Sequence, residues 1–147
     1  MQVEVRYRPG TEGIRVVVEA ERDGPEVRAL VERLMDLDEK VLLGRLGEQV
    51  IPLCADSLLR CYAQGGRVKA ENEQGTYDLK EMLYELENKL DRHVFVRISH
   101  SEIINLRKIT ALDLSLTGTI RITLEGGTVC YVSRRFVKKI KEALELS

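Results

Sequence analysis

The chain has 147 residues, of which 44% are hydrophobic and 32% are charged, and its net charge is −1. This length suits one domain with a small appendage, and the balanced charge does not by itself indicate a nucleic-acid partner. Cys54, Cys61 and Cys130 lack the spacing of a disulfide framework, and no apolar run is long enough to cross a bilayer. We therefore expect a cytoplasmic protein with reduced thiols.

The first 38 residues predict two strands followed by a helix. Apolar and charged side chains alternate over residues 3–8, and residues 14–20 form a second β-branched run, so these two stretches are expected to pair. Apolar residues then recur at helical spacing over residues 26–37. Such a β-β-α segment is too small to bury a core of its own, so we expect it to pack on the rest of the chain or to dimerise with a second copy.

Glycines and mixed charges over residues 38–47 predict a boundary that divides the chain into residues 1–46 and 47–147. Beyond it, Gly65-Gly66 predicts a hairpin turn. One helix is expected over about residues 78–90, before the central strands, and another from Ser133 to about residue 146. The predicted strands cover residues 48–53, 58–63, 67–71, 93–97, 103–104, 108–114, 119–124 and 129–131. Many short, closely spaced strands predict a mainly β (α+β) fold, a sandwich of small antiparallel sheets or a barrel.

The two parts of the chain differ in charge. Residues 1–91 hold 13 lysines and arginines against 19 aspartates and glutamates, whereas residues 92–147 hold 10 against 5. A basic module is what a phosphate backbone attracts, so this asymmetry favours DNA as a partner of the second part. Chance clustering of charges on a solvated surface is the alternative.

Three segments resemble the LytTR family of bacterial DNA-binding domains. The first is FVRISHSEIINLRKI, residues 95–109, which is similar to the central signature of the family. The second is Gly126-Gly127 in a strand, turn and strand that lead to Tyr131. The third is VSRRFVKKIKEAL, residues 132–144, which resembles the family's terminal Ser-Arg, aromatic residue and Lys-rich helix. Together with the helix predicted at LYELENKL, residues 83–90, the resemblance extends from about residue 48 to the end of the chain.

The resemblance implies a sandwich of small antiparallel sheets that inserts loops into DNA instead of laying a recognition helix in the major groove. It implies a sequence-specific, DNA-binding transcription regulator that binds double-stranded DNA as a homodimer on repeated half-sites. Response regulators of this kind also carry a phosphoacceptor receiver, for which residues 1–46 are too short. Stand-alone family members are often encoded beside a small membrane protein, which is therefore an expected partner.

The resemblance assigns the strongest candidate residues to the start of the last helix. It matches Arg135, with Arg134 beside it, to the arginine that reads bases in the family. A guanidinium can grip guanine O6 and N7 bidentately, or a phosphate. A helix that begins at Ser133 would also offer free backbone N–H groups to a phosphate. The alternative is an ordinary solvated helix start.

Two further places are expected to contact DNA. His100 and Ser101 lie in the signature, where Ser101 replaces a longer polar side chain common in the family and His100 could equally be structural. Ser57 and Arg60 are matched to a loop that the family presents to the major groove, although Cys54 stands where the family usually has a glutamate. Phosphate contacts that add affinity but no sequence choice are expected from Lys108, Lys138 and their neighbours Arg107, Lys139 and Lys141.

The residues do not indicate an enzyme. The cysteines and the two histidines, His93 and His100, have neither a zinc spacing nor the surroundings of a catalytic cysteine. We therefore expect no metal, no cofactor and no small-molecule substrate. The competing hypothesis is a protein-interaction module in which the acidic first part binds a partner and the basic part does not bind DNA specifically.

Overall fold

A computed structural model describes residues 1–11, 14–35, 37 and 40–146 of the chain. The chain forms two compact units, Met1–Asp38 and Glu39–Ser147.

The first unit contains one helix, α1, Pro25–Met35. Pro25 suits the first helical position because its fixed φ is helical and its missing N–H would have no partner there. The predicted helix is thus confirmed, but the two predicted strands are wrong: the described residues before α1 contain no strand. Their apolar side chains lie open to solvent, with Val3 82% and Val16 60% exposed. An alternating strand is stabilised by burying one face, and these side chains are mostly exposed on both faces.

The second unit begins with an antiparallel seven-stranded sheet in the order β2-β1-β5-β4-β3-β7-β6. Its strands are β1 Val41–Leu46, β2 Gln49–Cys54, β3 Arg60–Gln64, β4 Arg67–Asn72, β5 Gly75–Leu79, β6 Phe95–Ser99 and β7 Glu102–Asn105. The helix α2, Leu83–Lys89, packs Leu83 and Leu86 into a cluster with buried side chains of the sheet. A helix of seven residues is unstable alone in water, so this packing holds it in place.

A second sheet follows in the order β10-β9-β8, formed by β8 Ile109–Asp113, β9 Ile120–Leu124 and β10 Val129–Val132. A single 3-10 turn, Arg134–Phe136, then leads into α3, Val137–Ala143. Consecutive residues of β7 point to opposite faces of the sheet, and Ile103 and Ile104 accordingly belong to different buried clusters. The second cluster joins β6 and β7 to the small sheet and α3 through Val96, Ile98, Ile104, Ile120, Ile122, Leu124, Cys130, Val132 and Ile140.

The mainly β sandwich of small antiparallel sheets, with a helix before the central strands and one at the C-terminal end, is confirmed. The hairpin turn at Gly65-Gly66 is also present, with φ of +60° and +77° at the two glycines. Three elements of the second unit differ from the prediction: β5, β1 and the last helix, which is Val137–Ala143. β5 occupies residues 75–79, where the helix was expected to start, because Tyr77 and Leu79 are buried at strand spacing.

The second difference concerns the boundary predicted after residue 46. β1 pairs with β2 along six residues and also contacts β5, so it belongs to the second unit. Gly44, which suggested a linker, is instead required by close packing. A Cβ at this position would lie 2.7 Å from Leu53 Cδ1 and 2.8 Å from Tyr77 Cβ. A glycine inside a strand commonly marks such a close approach.

Candidate nucleic-acid interface

Two of the three predicted contact regions come together at one surface. β6 ends at Ser99 and β7 begins at Glu102, so His100 and Ser101 form the turn between them. The chain after β10 is tied to β6 because the Ser133 N–H donates to the Ile98 carbonyl over 2.8 Å. This hydrogen bond places the β6–β7 turn beside the Arg134–Phe136 turn, although 35 residues separate His100 from Arg135.

The side chains of these two turns touch each other. Arg135 Nη1 lies 2.8 Å from His100 Nε2, and the ring of Phe136 meets the imidazole edge to face with centroids 6.3 Å apart. A guanidinium only donates, so His100 Nε2 accepts this hydrogen bond and leaves Nδ1 to carry the ring proton. Both Arg135 and His100 are exposed, and the contact therefore orients an accessible guanidinium.

Further cations precede or follow Arg135 in the same segment of the chain. Arg134, Lys138 and Lys139 are exposed, and Lys141 is half-buried. Within the described residues, none of these side chains or Arg135 forms an ion pair with a carboxylate. Positive charges that have no carboxylate partner are available to an anionic ligand, and their density is what phosphate groups attract.

Ser133 and Ser101 occupy different positions in this surface. Ser133 precedes the 3-10 turn but its side chain makes no capping hydrogen bond, and its N–H is already used by Ile98. The prediction of a helix that begins at Ser133 is therefore wrong, because a 3-10 turn occupies Arg134–Phe136 and the α-helix starts at Val137. Ser101 is exposed, its Oγ lies 3.3 Å from Ser99 Oγ, and its hydroxyl remains accessible.

The third predicted region is arranged differently. Arg60 Nε donates to Glu71 over 2.6 Å, Arg60 Nη1 donates to Glu102 over 2.8 Å, and the guanidinium stacks on Tyr62 at 4.4 Å. Burial opposes the charged form, but hydrogen bonds and attraction from Glu102 and Glu71 outweigh it and raise the pKa of Arg60. Its side chain is only 21% exposed. Arg60 is thus engaged within the protein, which does not favour it as a DNA contact.

The remaining predicted residues are dispersed. Ser57 is half-buried and its Oγ donates to the Cys54 carbonyl over 2.7 Å, so its hydroxyl supports the turn before β3. Lys108 Nζ lies 3.4 Å from Glu125 and its side chain is 24% exposed, whereas Lys138 is exposed on α3. Lys138 therefore belongs to the exposed cations that follow Arg135 in the chain, and Lys108 is partly neutralised by Glu125.

The sequence profile of the LytTr DNA-binding domain matches residues 48–145, two thirds of the chain. The chain belongs to the LytTR family. This assignment confirms the resemblance. The exposed Arg135 and His100 both lie within the matched LytTr DNA-binding domain. The family is not one of enzymes.

The similarity to curated relatives covers most of the chain. A protein of Staphylococcus aureus strain MRSA252, named an uncharacterized HTH-type transcriptional regulator, is 33% identical over 130 residues, which is 88% of each chain. A second protein, from Staphylococcus aureus strain NCTC 8325, is also named an uncharacterized HTH-type transcriptional regulator. It is 32% identical over 130 residues, which is again 88% of each chain. Among solved structures, a LytTr DNA-binding domain from Bacillus cereus matches with a TM-score of 0.70 and 22% identity, covering 72% of this chain and 97% of that one. The last comparison shows the fold.

The helices of this LytTR chain do not form a helix-turn-helix pair within its described residues, since β1–β5 lie between α1 and α2 and β6–β10 between α2 and α3. A recognition helix of that kind is thus not what the described fold offers to DNA. None of the described helices has the length and apolar composition that a membrane crossing requires.

Proposed function

We propose that this LytTR protein is a sequence-specific transcription regulator that reads double-stranded DNA through its β6–β7 turn and its Arg134–Phe136 turn. The observation that carries the proposal is the contact between Arg135 and His100 on an exposed surface whose cations lack carboxylate partners among the described residues. The names of the Staphylococcus aureus relatives support the regulatory role.

In this proposal Arg135 reads the sequence. A guanidinium can donate two parallel hydrogen bonds to guanine O6 and N7, and a well-placed pair of this kind discriminates by about 1–3 kcal/mol. His100 holds the guanidinium through Nε2 and keeps its ring N–H at Nδ1 for a base edge or a phosphate. Ser101 and Ser133 are placed to reach the backbone of the same DNA segment.

Affinity without sequence choice comes from the surrounding cations. Arg134 and Lys138 are the principal phosphate contacts, and Lys108 contributes less because Glu125 neutralises part of its charge. Arg60 and Ser57 support the scaffold in this proposal and do not touch DNA. Arg60 acts at a distance, because its ion pair with Glu102 fixes the strand that follows the His100 turn.

We also propose that the protein is a cytoplasmic homodimer without catalytic activity. The apolar stripe of α1, which includes Leu30, Val31 and Leu34, contains no fully buried residue. A second copy of the helix can cover this stripe, since Glu26 and Arg33 on its flank allow oppositely charged pairs between antiparallel helices. Val31→Glu is expected to weaken the dimer in sedimentation, whereas Ala29→Glu on the opposite side is not.

A small membrane protein is the proposed source of the signal, on the strength of the family resemblance. Co-purification with membranes tests this partner: the tagged protein should carry along one small membrane protein from cells that express both at natural levels. Recovery of the tagged protein without any membrane component would remove the partner from the proposal and leave DNA binding untouched.

The DNA-binding proposal is tested by a gel shift with the DNA upstream of the gene. The fragment should bind more tightly than an unrelated fragment of equal length, and affinity should fall steeply as salt rises. Weak binding that is equal on both fragments would instead support the competing interaction module.

A further inference from the structure

The loop between β8 and β9 contains a glycine that an arginine covers. Gly118 has a φ of +76°, and one edge of the Arg134 guanidinium faces it. A Cβ added to Gly118 would lie 3.1 Å from both Arg134 Nε and Nη2. A side chain at residue 118 would therefore require the guanidinium of Arg134 to shift by a few tenths of an ångström.

This contact forms one wall of a surface groove of about 490 Å³. Three of its lining side chains are cationic, one is acidic and the rest are apolar or small. They are Gly118, Arg134, Val137, Lys138, Lys141, Glu142 and Leu146. Arg134, Lys138 and Lys141 follow one another at spacings of four and three residues, so they project from the same side of the 3-10 turn and α3.

We propose that this groove binds a backbone phosphate of DNA and that Gly118 is its positioning residue. The inference rests on the proposed function, and it adds the β8–β9 loop to the two turns described above. The groove presents a planar guanidinium and two ammonium groups to one side, which suits a phosphate better than a base edge. Glu142 also lines the groove and would repel an anion from its own carboxylate.

Gly118 matters because it holds Arg134 ready. A guanidinium that already lies with one edge against the loop loses little conformational freedom when a phosphate binds. A methyl group at residue 118 would shift the guanidinium from this position by a few tenths of an ångström, so the ligand would have to order it again. The proposed loss is one of affinity on every DNA sequence, since a phosphate carries no sequence information.

The chain supplies a matched control for the substitution Gly118→Ala. Gly126 has a φ of +83°, nearly that of Gly118, but a Cβ there would meet no atom within 4 Å. Ala at either position suffers the same backbone strain, so equal losses of thermal stability are expected. Only Gly118→Ala also displaces Arg134.

The test measures dissociation constants of the full chain for the upstream fragment and an unrelated fragment at several salt concentrations. Gly118→Ala should weaken binding to both fragments by about 3- to 10-fold, as expected for one displaced charged contact, while Gly126→Ala stays within about 2-fold of wild type. Arg134→Ala should weaken both fragments equally and lower the salt slope by about 1. In the Arg134→Ala background, Gly118→Ala should have no further effect.

The outcomes separate this inference from the function on which it rests. The proposed phosphate site would be contradicted if the two glycine variants lost equal DNA affinity. It would also be contradicted if Gly118→Ala still weakened DNA binding in the Arg134→Ala background. The preference of wild type for the upstream fragment would then still stand. A wild-type protein that binds both fragments equally would overturn the proposed function, whatever the glycine variants do.

Discussion

Arg135 Nη1 lies 2.8 Å from His100 Nε2, and this contact joins a turn of the large sheet to the turn that precedes α3. It links two side chains that the sequence presents as separate candidates. His100 orients the guanidinium on one side while Phe136 packs against the imidazole on the other. Each side chain therefore depends on the other for its direction, and the pair forms the centre of the proposed DNA surface.

Replacement of His100 tests this coupling. His100→Ala removes the acceptor of a hydrogen bond from a charged donor, so affinity for the upstream fragment should fall by about 10-fold. Affinity for unrelated DNA should change little. His100→Gln supplies an acceptor of similar reach and should recover much of the loss. Fluorescence anisotropy with both fragments measures the effect, and equal losses on both would show that His100 binds a phosphate instead.

Arg60 is predicted to stabilise the fold. Arg60→Met would leave Glu71 and Glu102 without their cation at sites where both side chains are less than 20% exposed. Removal of one partner from such a pair destabilises a protein by about 2–4 kcal/mol, which urea unfolding would detect. Arg67 pairs with Asp78 but is 71% exposed, so Arg67→Met should cost less than about 1 kcal/mol. Similar losses for both variants would contradict a structural role specific to Arg60.

Asn105 is predicted to hold the turn before β3 together. It is fully buried, its Nδ2 donates to the Leu58 carbonyl over 2.8 Å, and its Oδ1 accepts from the Arg107 N–H over 2.9 Å. Asn105→Ala leaves these groups without partners, so we expect a loss of about 2–4 kcal/mol in urea unfolding. Asn88→Ala, on the exposed side of α2, should change the unfolding free energy by less than about 0.5 kcal/mol.

The thiols are predicted to differ in reactivity. Burial, with a smaller contribution from Glu81, raises the pKa of Cys61 to about 12, and burial together with the hydrogen bond to Glu102 raises the pKa of Cys130 to about 12. At pH 8 the native protein should therefore label at the half-buried Cys54 first, and at the other two only after unfolding. Rapid labelling of Cys130 in native protein, followed by mass spectrometry, would contradict this arrangement.

The same shifts give a pH dependence of stability. Cys61 and Cys130 hold their protons more tightly in the folded state than in the unfolded chain. Between pH 9.0 and about 12 the folded state therefore binds more protons. The unfolding free energy should consequently decline as the pH rises through this interval, and these two groups should contribute no change below it. Denaturation curves at pH 8 and pH 10 provide the comparison, with Cys61→Ala and Cys130→Ala reducing the difference.

The sequence predicted the elements whose signals are local. Alternation and turn glycines placed β3, β4 and their hairpin within two residues, and helical spacing placed α1. β1 was not predicted, because Gly44 indicates a linker until Leu53 and Tyr77 are seen to require its missing side chain. The N-terminal strands fail for the opposite reason: their pattern is correct for a strand, yet most of its apolar side chains are exposed among the described residues.

The candidate site was predictable only in part. The resemblance located Arg135 and His100. Their contact depends on the hydrogen bond between the Ser133 N–H and the Ile98 carbonyl, which no local sequence pattern predicts. Arg60 had the charge of a DNA contact, but its two carboxylate partners lie 11 and 42 residues away in sequence and meet it only in the sheet. Gly118 gave no signal at all, since its role follows from a side chain 16 positions later.

The central claim is that Arg135 chooses the sequence, and the ratio of dissociation constants for unrelated and upstream DNA tests it most directly. Wild type should show a ratio of about 1,000 or more at physiological salt. Arg135→Ala should bring the ratio close to 1, and Arg135→Lys should recover little because an ammonium cannot make the bidentate contact. Lys139→Ala serves as the control: it should raise both dissociation constants and leave their ratio unchanged. A ratio that survives Arg135→Ala would contradict the account.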